Sequence, residues 1–188
     1  MGSPDAEAEA AEGASQARSV STLAGALVRL RPPRPEDVPA LARIRRTPEV
    51  FARWRGGADL VAAVEEDLAT PDVTAYVIEV GERVVGWIQW EGVDDPDYRH
   101  ANIDIYVDPA VHGRGVGTDA VRTIARHLIG DHGHHRLVID PAADNVAAIR
   151  SYGKVGFRPV GILRRYERDA DGTWHDKLLM DLIAEELS

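Results

Sequence analysis

The segment His112-Gly113-Arg114-Gly115-Val116-Gly117-Thr118 places three glycines between an alternating apolar–polar run and an amphipathic stretch. Glycine lets a backbone come close to a ligand, and a helix that starts there offers N–H groups and the positive end of its dipole. Together these suit a pyrophosphate. A nucleotide P-loop needs Gly-Lys-Ser/Thr after a longer spacer, and no lysine stands here. A dinucleotide fingerprint needs a glycine where Thr118 stands. A glycine-rich turn that merely caps a helix also fits, so the loop alone leaves a cradle and a structural turn both open.

Carboxylates surround this loop in sequence. Asp104 lies on the polar face of its run with Asn102 and Tyr106, opposite Ile103, Ile105 and Val107. It is either a solvent-facing acid or a group that attracts an ammonium ion and accepts its proton as attack begins. Asp140 precedes Pro141, a pair that also makes turns. Asn145 suits a helix cap, and Tyr152 suits packing of that helix on a sheet. Glu91, Asp94, Asp95 and Asp97 place four carboxylates in one hairpin loop. Such a run is a solvated face, or, beside a cleft, a device that steers polycations. Asp131-His132-Gly133-His134-His135 would put metal ligands in one turn with no paired partner elsewhere, so a solvated loop is expected and no metal. Trp54, Trp87 and Trp90 are core or cleft walls.

The elements that must hold these residues follow from periodicity. Leu27–Leu30 reads as a strand stopped by prolines, and Pro35-Glu36-Asp37 starts a helix with Val38, Leu41, Ala42 and Ile44 on one face. A second helix is predicted from about Ala58 to Leu68. Val73–Val80 and Arg83–Glu91 form a hairpin about Gly81-Glu82, and Asp94–Asp97 marks the next turn. His100–Asp108 is a strand, followed by the glycine loop and a helix to about Ile129. Leu137–Ile139 is a short buried strand, Asp144–Lys154 a helix, and Phe157–Tyr166 and Lys177–Ile183 closing strands. The order is mixed α/β, with hairpins in the middle and strand–helix alternation later.

Residues 1–20, rich in Ala, Glu, Gly and Ser, cannot bury enough apolar surface to offset ordering, so a disordered acidic tail is expected before a single domain over 21–188. With a net charge of −9 and a pI near 5.2, no basic stripe is evident, which argues against nucleic acid as a partner. No apolar run approaches the roughly 20 residues that span a bilayer, so no membrane is expected. The absence of cysteine excludes thiolate chemistry and suits a reducing, cytoplasmic setting.

Downstream of the glycine loop the chain reads Asn145-x-x-Ala148-x-x-x-Tyr152-x-x-x-Gly156-Phe157. This pairing resembles the GNAT N-acetyltransferases, over Leu27 to about Leu182, with its specific part at His100–Phe157. His112 stands where that family usually has Gln or Arg. The resemblance implies a central, mostly antiparallel sheet flanked by helices and splayed between its fourth and fifth strands, here His100–Asp108 and Leu137–Asp140. It implies acetyl-coenzyme A as cosubstrate, with its pantetheine arm against the backbone at Tyr106 and Val107, its phosphates on His112–Thr118, and Asn145 nearby. Tyr152 would donate a proton to the departing thiolate.

Ile103-Asp104, Asp140-Pro141 and Asn145…Ala148-Ile149-Arg150…Tyr152-x-Lys154-x-Gly156-Phe157 look most like the aminoglycoside 6'-N-acetyltransferases. That likeness implies Asp104 as general base and amine anchor and Asp140 as a second contact to a cationic substrate, with an antibiotic-resistance role. The interval from Asp104 to the loop is about one residue shorter than in some members. The expected partner is therefore a small cationic amine, and a homodimer is admitted. Asp171-Gly172-Thr173-Trp174-His175-Asp176 resembles ribosomal-protein acetyltransferases, so a protein N-terminal acetyltransferase is the alternative, as is a non-catalytic acyl-coenzyme A-binding domain.

Overall fold

The computed structural model describes residues 21–54, 57–169 and 172–188; the expected acidic tail, 1–20, lies outside them. Hairpin chemistry sets up the centre of the chain. Gly81, at φ 62°, closes β3 (Val73–Val80) onto β4 (Arg83–Val93). β4 in turn pairs along its length with β5 (His100–Val107). Two short strands, β1 (Leu23–Ala24) and β2 (Arg29–Arg31), extend this half beyond β3. β6 (Arg136–Ile139), β8 (Trp174–Ile183) and β7 (Arg158–Arg168) form the other half. The sheet order is β1-β2-β3-β4-β5-β6-β8-β7. Among the described residues every pairing is antiparallel except β5 with β6.

Alternation along the strands sends side chains to two cores. α1 (Val38–Arg45) and α3 (Leu60–Ala69) cover one face, where Leu41, Ile44 and Val64 meet Val77, Trp87 and Tyr106. α4 (Val116–Gly130) and α5 (Val146–Gly153) cover the other, where Val121, Ile124 and Leu128 meet Ile78, Ile88 and Ile103. Neighbours such as Trp87 and Ile88 thus point to opposite layers. α4 is the long crossover that a parallel β5–β6 pair requires.

The first expected strand lies two residues later than read, and Asp37 ends a 3-10 turn before α1 begins. The short α2 (Pro48–Phe51) and β1 carry too few residues for a periodic signal. Because β1 precedes it, His100–Val107 is the fifth strand rather than the fourth. Among the described residues no helix is long and apolar enough to cross a membrane.

Candidate active site

β5 and β6 pair only at Ala101↔Leu137 and Asn102↔Val138. Beyond that point the strands part, and the later half of β5 faces an opening. Two cavities occupy it. One, of about 430 Å³, is lined by Tyr106 and Val107 on β5, by His112, Gly113 and Gly115 to Thr118, and by Ala148, Ser151 and Lys154 of α5 and its end. The other, of about 580 Å³, is lined by Asp104, Asp140 and residues of the β7–β8 hairpin. Arg53, Trp54, Ile105, Asn145 and Tyr152 border both.

The first cavity is built from backbone. Gly113 and Gly115 sit at φ 73° and 83°, a left-handed conformation that side-chain-bearing residues rarely adopt. Gly115 is the N-cap of α4 and supplies no side chain, so the first amides of a fifteen-residue helix are open to a ligand. Arg53, Arg150 and Lys154 add positive charge to the same walls. Asp108 accepts from the Ala110 N–H at 3.0 Å and pairs with Arg43 and Arg83 at 3.2 and 2.9 Å, fixing the turn into the loop. Burial opposes its ionisation, but these partners hold its pKa below the ordinary value. His112 donates from Nε2 to the Val107 carbonyl at 2.9 Å, which sets its tautomer. Thr118 and Ser151 hydroxyls meet at 2.6 Å, tying α4 to α5. Arg114 belongs to the loop, but its side chain is exposed and lines neither cavity. These residues fit the phosphates and pantetheine arm of a coenzyme A.

The second cavity is acidic. Asp104, Asp140, Asp144, Glu167, Asp169 and Asp176 line it, against Arg53 and Lys177. Asp104 is open to the cavity yet walled by protein on its other sides. Its pKa is raised, first by that burial and then by the Asp140 charge; Lys177 and a Gln89 hydrogen bond pull the other way. Gln89 is its cross-strand neighbour and accepts from Trp87 Nε1 at 2.8 Å, which turns the amide NH₂ of Gln89 toward Asp104. Tyr152 is buried, and its phenol is pushed well above the ordinary range by burial and then by Asp104 and Asp140. It is therefore protonated at neutral pH. Asn145 caps α5, accepting from the Ala148 N–H at 3.2 Å, while bordering both cavities. Cap and site residue are one.

The structure thus brings Asp104, Asp140, Tyr152, Asn145, Tyr106, Val107 and the glycine loop together. It does not bring in the acidic hairpin loop. Asp94, Asp95 and Asp97 line neither cavity, nor does Glu91, which accepts from Asn102 Nδ2 at 3.3 Å on the exposed surface and reaches Asp104 only as a distant like charge. The reason is direction: that loop enters β5 at His100, the end still paired with β6, whereas the opening lies toward Val107. Asp131–His135 forms part of a ring cluster, with His132 packed 4.8 Å from Trp90 and 4.7 Å from His127. The sequence reading missed Arg53, Glu167, Asp169 and Lys177. Lys177 carries a signal in retrospect, as a lone cation leading the apolar run Leu178-Leu179-Met180.

A splayed sheet, a glycine loop at a helix start and an acid on the opened strand define an acyl-coenzyme A-type site. Residues 28–158 match the acetyltransferase (GNAT) domain, and the chain belongs to that family. Aminoglycoside N(6')-acetyltransferase type 1 of Klebsiella pneumoniae is 29% identical over 130 residues, covering 59% of this chain and 64% of that protein. N-alpha-acetyltransferase RimI of Mycobacterium tuberculosis is 32% identical over 108 residues, covering 57% and 66%. The chain therefore spans a little under two thirds of the length of these relatives. Mycobacterium smegmatis RimJ, solved in complex with CoA-disulfide, superposes with a TM-score of 0.74 at 27% identity, over 89% of this chain and 88% of that one.

Proposed function

We propose that the protein transfers an acetyl group from acetyl-coenzyme A to the primary amine of a cationic small molecule, an aminoglycoside or a compound of similar charge. The observation that carries this reading is the meeting of two unlike cavities at Ile105, Asn145 and Tyr152. One offers open amides and cations to phosphates, the other offers carboxylates to an ammonium.

Acetyl-coenzyme A supplies an activated thioester. The residues of the chain do the rest by position and proton handling. Asp104 holds the amine as its ammonium form and takes a proton as attack begins, and its raised pKa brings it closer to that task than an ordinary carboxylate. The Gln89 amide aims it. Tyr152 faces the departing sulfur with its proton in place. A thiolate, with an ordinary pKa of about 8.5, is a weaker base than this phenolate, so the phenol stabilises it through a hydrogen bond instead of surrendering its proton. The carboxylate excess of the second cavity favours a cation as acceptor.

The second reading, acetylation of a protein N-terminus, is favoured by the RimI and RimJ similarities. A panel of aminoglycosides and N-terminal peptides, assayed for coenzyme A release, decides between them. Turnover with aminoglycosides at a KM that rises with salt supports the first. A neutral or acidic peptide as best substrate, with salt-independent kinetics, overturns it, and no turnover with any amine leaves an acyl-coenzyme A-binding domain.

A further inference from the structure

Asp140, the second carboxylate of the acidic cavity, already has a cation. Lys177 Nζ lies 3.2 Å from Asp140 Oδ2 and 3.4 Å from Glu167 Oε2, and 5.8 Å from the centre of the Tyr166 ring. The Lys177 side chain is only 19% exposed, so this is a lining group and not a surface ion pair. Burial pulls its pKa down, but Asp140, Glu167 and Asp104 outweigh that and hold it above the ordinary lysine value. It is therefore a cation and never the base.

The backbone beneath it is pinned to the Asp140 side of the cavity. Leu178 N–H donates to the Pro141 carbonyl at 2.9 Å and Ala143 N–H to the Asp176 carbonyl at 3.0 Å, about an isolated bridge between Ala142 and Lys177. The lysine thus enters the cavity from a fixed point on β8, with its ammonium set between two carboxylates and within electrostatic reach of a third, Asp104. A substrate ammonium that approached Asp140 would meet a like charge already seated there.

Resting on the amine-acetyltransferase reading, we propose that Lys177 determines specificity: its tethered ammonium fills the subsite between Asp140 and Glu167 that a second substrate amine would take. The protein then selects acceptors that bring one ammonium to Asp104 and keep any further charge toward the mouth of the cavity. Closely spaced diamines are rejected by repulsion, although the cavity is acidic. Removing the charge turns the same carboxylates into a receptor for the second amine.

The test compares propylamine with 1,3-diaminopropane on the wild type, Lys177→Met, Lys177→Gln and Lys177→Arg. Two readouts are taken: kcat/KM for each amine, and the melting temperature with each amine in the absence of acetyl-coenzyme A. Lys177→Met is expected to raise the diamine-to-monoamine ratio of kcat/KM by roughly tenfold or more, the worth of one charge-assisted contact in a partly buried site. Diamine, and not monoamine, should raise its melting temperature, because a ligand bound only by the folded state stabilises it. Lys177→Arg should keep the wild-type ratio. A merely structural lysine would lower turnover of both amines equally, and a ratio within about twofold of wild type in a folded Lys177→Met overturns the proposal. Should that variant not fold, Lys177→Gln gives the same decision. If no amine is acetylated by any form, the acetyltransferase reading fails, while the diamine melting shift still decides the role of Lys177.

Discussion

Three successive backbone amides converge on one carboxylate: Ala26, Leu27 and Val28 donate to Asp119 at 3.2, 2.6 and 3.1 Å. Asp119→Ala removes both acceptor oxygens and so all three bonds. Ala26 and Leu27 are exposed, so water replaces their bonds, and the loss there is the net worth of each, about 0.5–1.5 kcal/mol. Val28 is buried, and its N–H is left stranded at a cost of about 1–3 kcal/mol. Together these give about 2–6 kcal/mol. For a domain of this size each kcal/mol moves Tm by about 2–4 °C, so melting should fall by roughly 4–24 °C. The consequence for function is separate. A Cβ placed on Gly115 would stand 3.4 Å from Leu27 Cδ1, so the Gly25–Val28 segment backs the glycine loop. Loosening that backing should raise KM for acetyl-coenzyme A more than it lowers kcat, with Asp119→Asn intermediate because it keeps one oxygen. Thermal melts and steady-state kinetics check both. A Tm within about 2 °C of wild type, or a fall in kcat at unchanged KM, would refute the reasoning.

Asp104→Asn should cut kcat by ~10²–10⁴-fold with acetyl-coenzyme A affinity retained, measured by steady-state kinetics and calorimetry. A carboxylate whose pKa is raised on folding favours the folded state while protonated, and that contribution is lost as pH rises through its folded pKa. At pH 7.5 the Asp104→Asn variant should consequently melt no lower than wild type, and the acid limb of the wild-type kcat/KM profile should sit above the ordinary Asp range. Tyr152→Phe keeps the buried ring and removes one hydrogen bond to a developing anion, so kcat should fall about 10–150-fold with little change in Tm. Gly115→Val forces a β-branched residue to φ 83° and should abolish the melting shift given by coenzyme A, or else lower Tm by several degrees if the loop holds its shape, at ~1–2 kcal/mol or more.

What was legible in the sequence was whatever local pattern controls. The strand His100–Val107 alternates, Gly81 marks the β3–β4 hairpin, and the glycines ahead of an amphipathic helix mark the loop, so the backbone wall of the first cavity was legible. Asp104 and Tyr152 were singled out by the resemblance to the acetyltransferases, since on their own residues a solvent-facing acid and a packing ring stayed open, and the structure sets both around one opening. Whether the acidic hairpin loop borders the cleft was not legible, because composition carries no direction: four carboxylates near Asp104 in sequence lie at the paired end of β5, not at its open end. What Lys177 and Glu167 would meet was hidden for the opposite reason. Lys177 pairs with Asp140 and Glu167, and only the return of β8 between β6 and β7 brings those segments together. Long-range pairing of this kind leaves no periodic trace. Arg53, just past the short α2, was hidden in the same way, whereas Trp54 beside it is the cleft wall that the sequence left as one of two readings.

The opening of the sheet is what makes these separate residues a site. A parallel pair held by only two residue partners leaves the later half of β5 with backbone groups facing a cleft instead of another strand. An unpaired edge of that kind ordinarily invites association with other chains. Here it lies inside the molecule, between a loop that supplies amides and a hairpin that supplies carboxylates. Its backbone is therefore reachable only by something narrow that carries its own hydrogen-bonding groups. The same geometry explains the electrostatics. Walls that keep an extended ligand dry also crowd Asp104 and Tyr152 and push both pKa values up. Lys177, planted from β8 beside Asp140, offsets part of that cost at the acidic end.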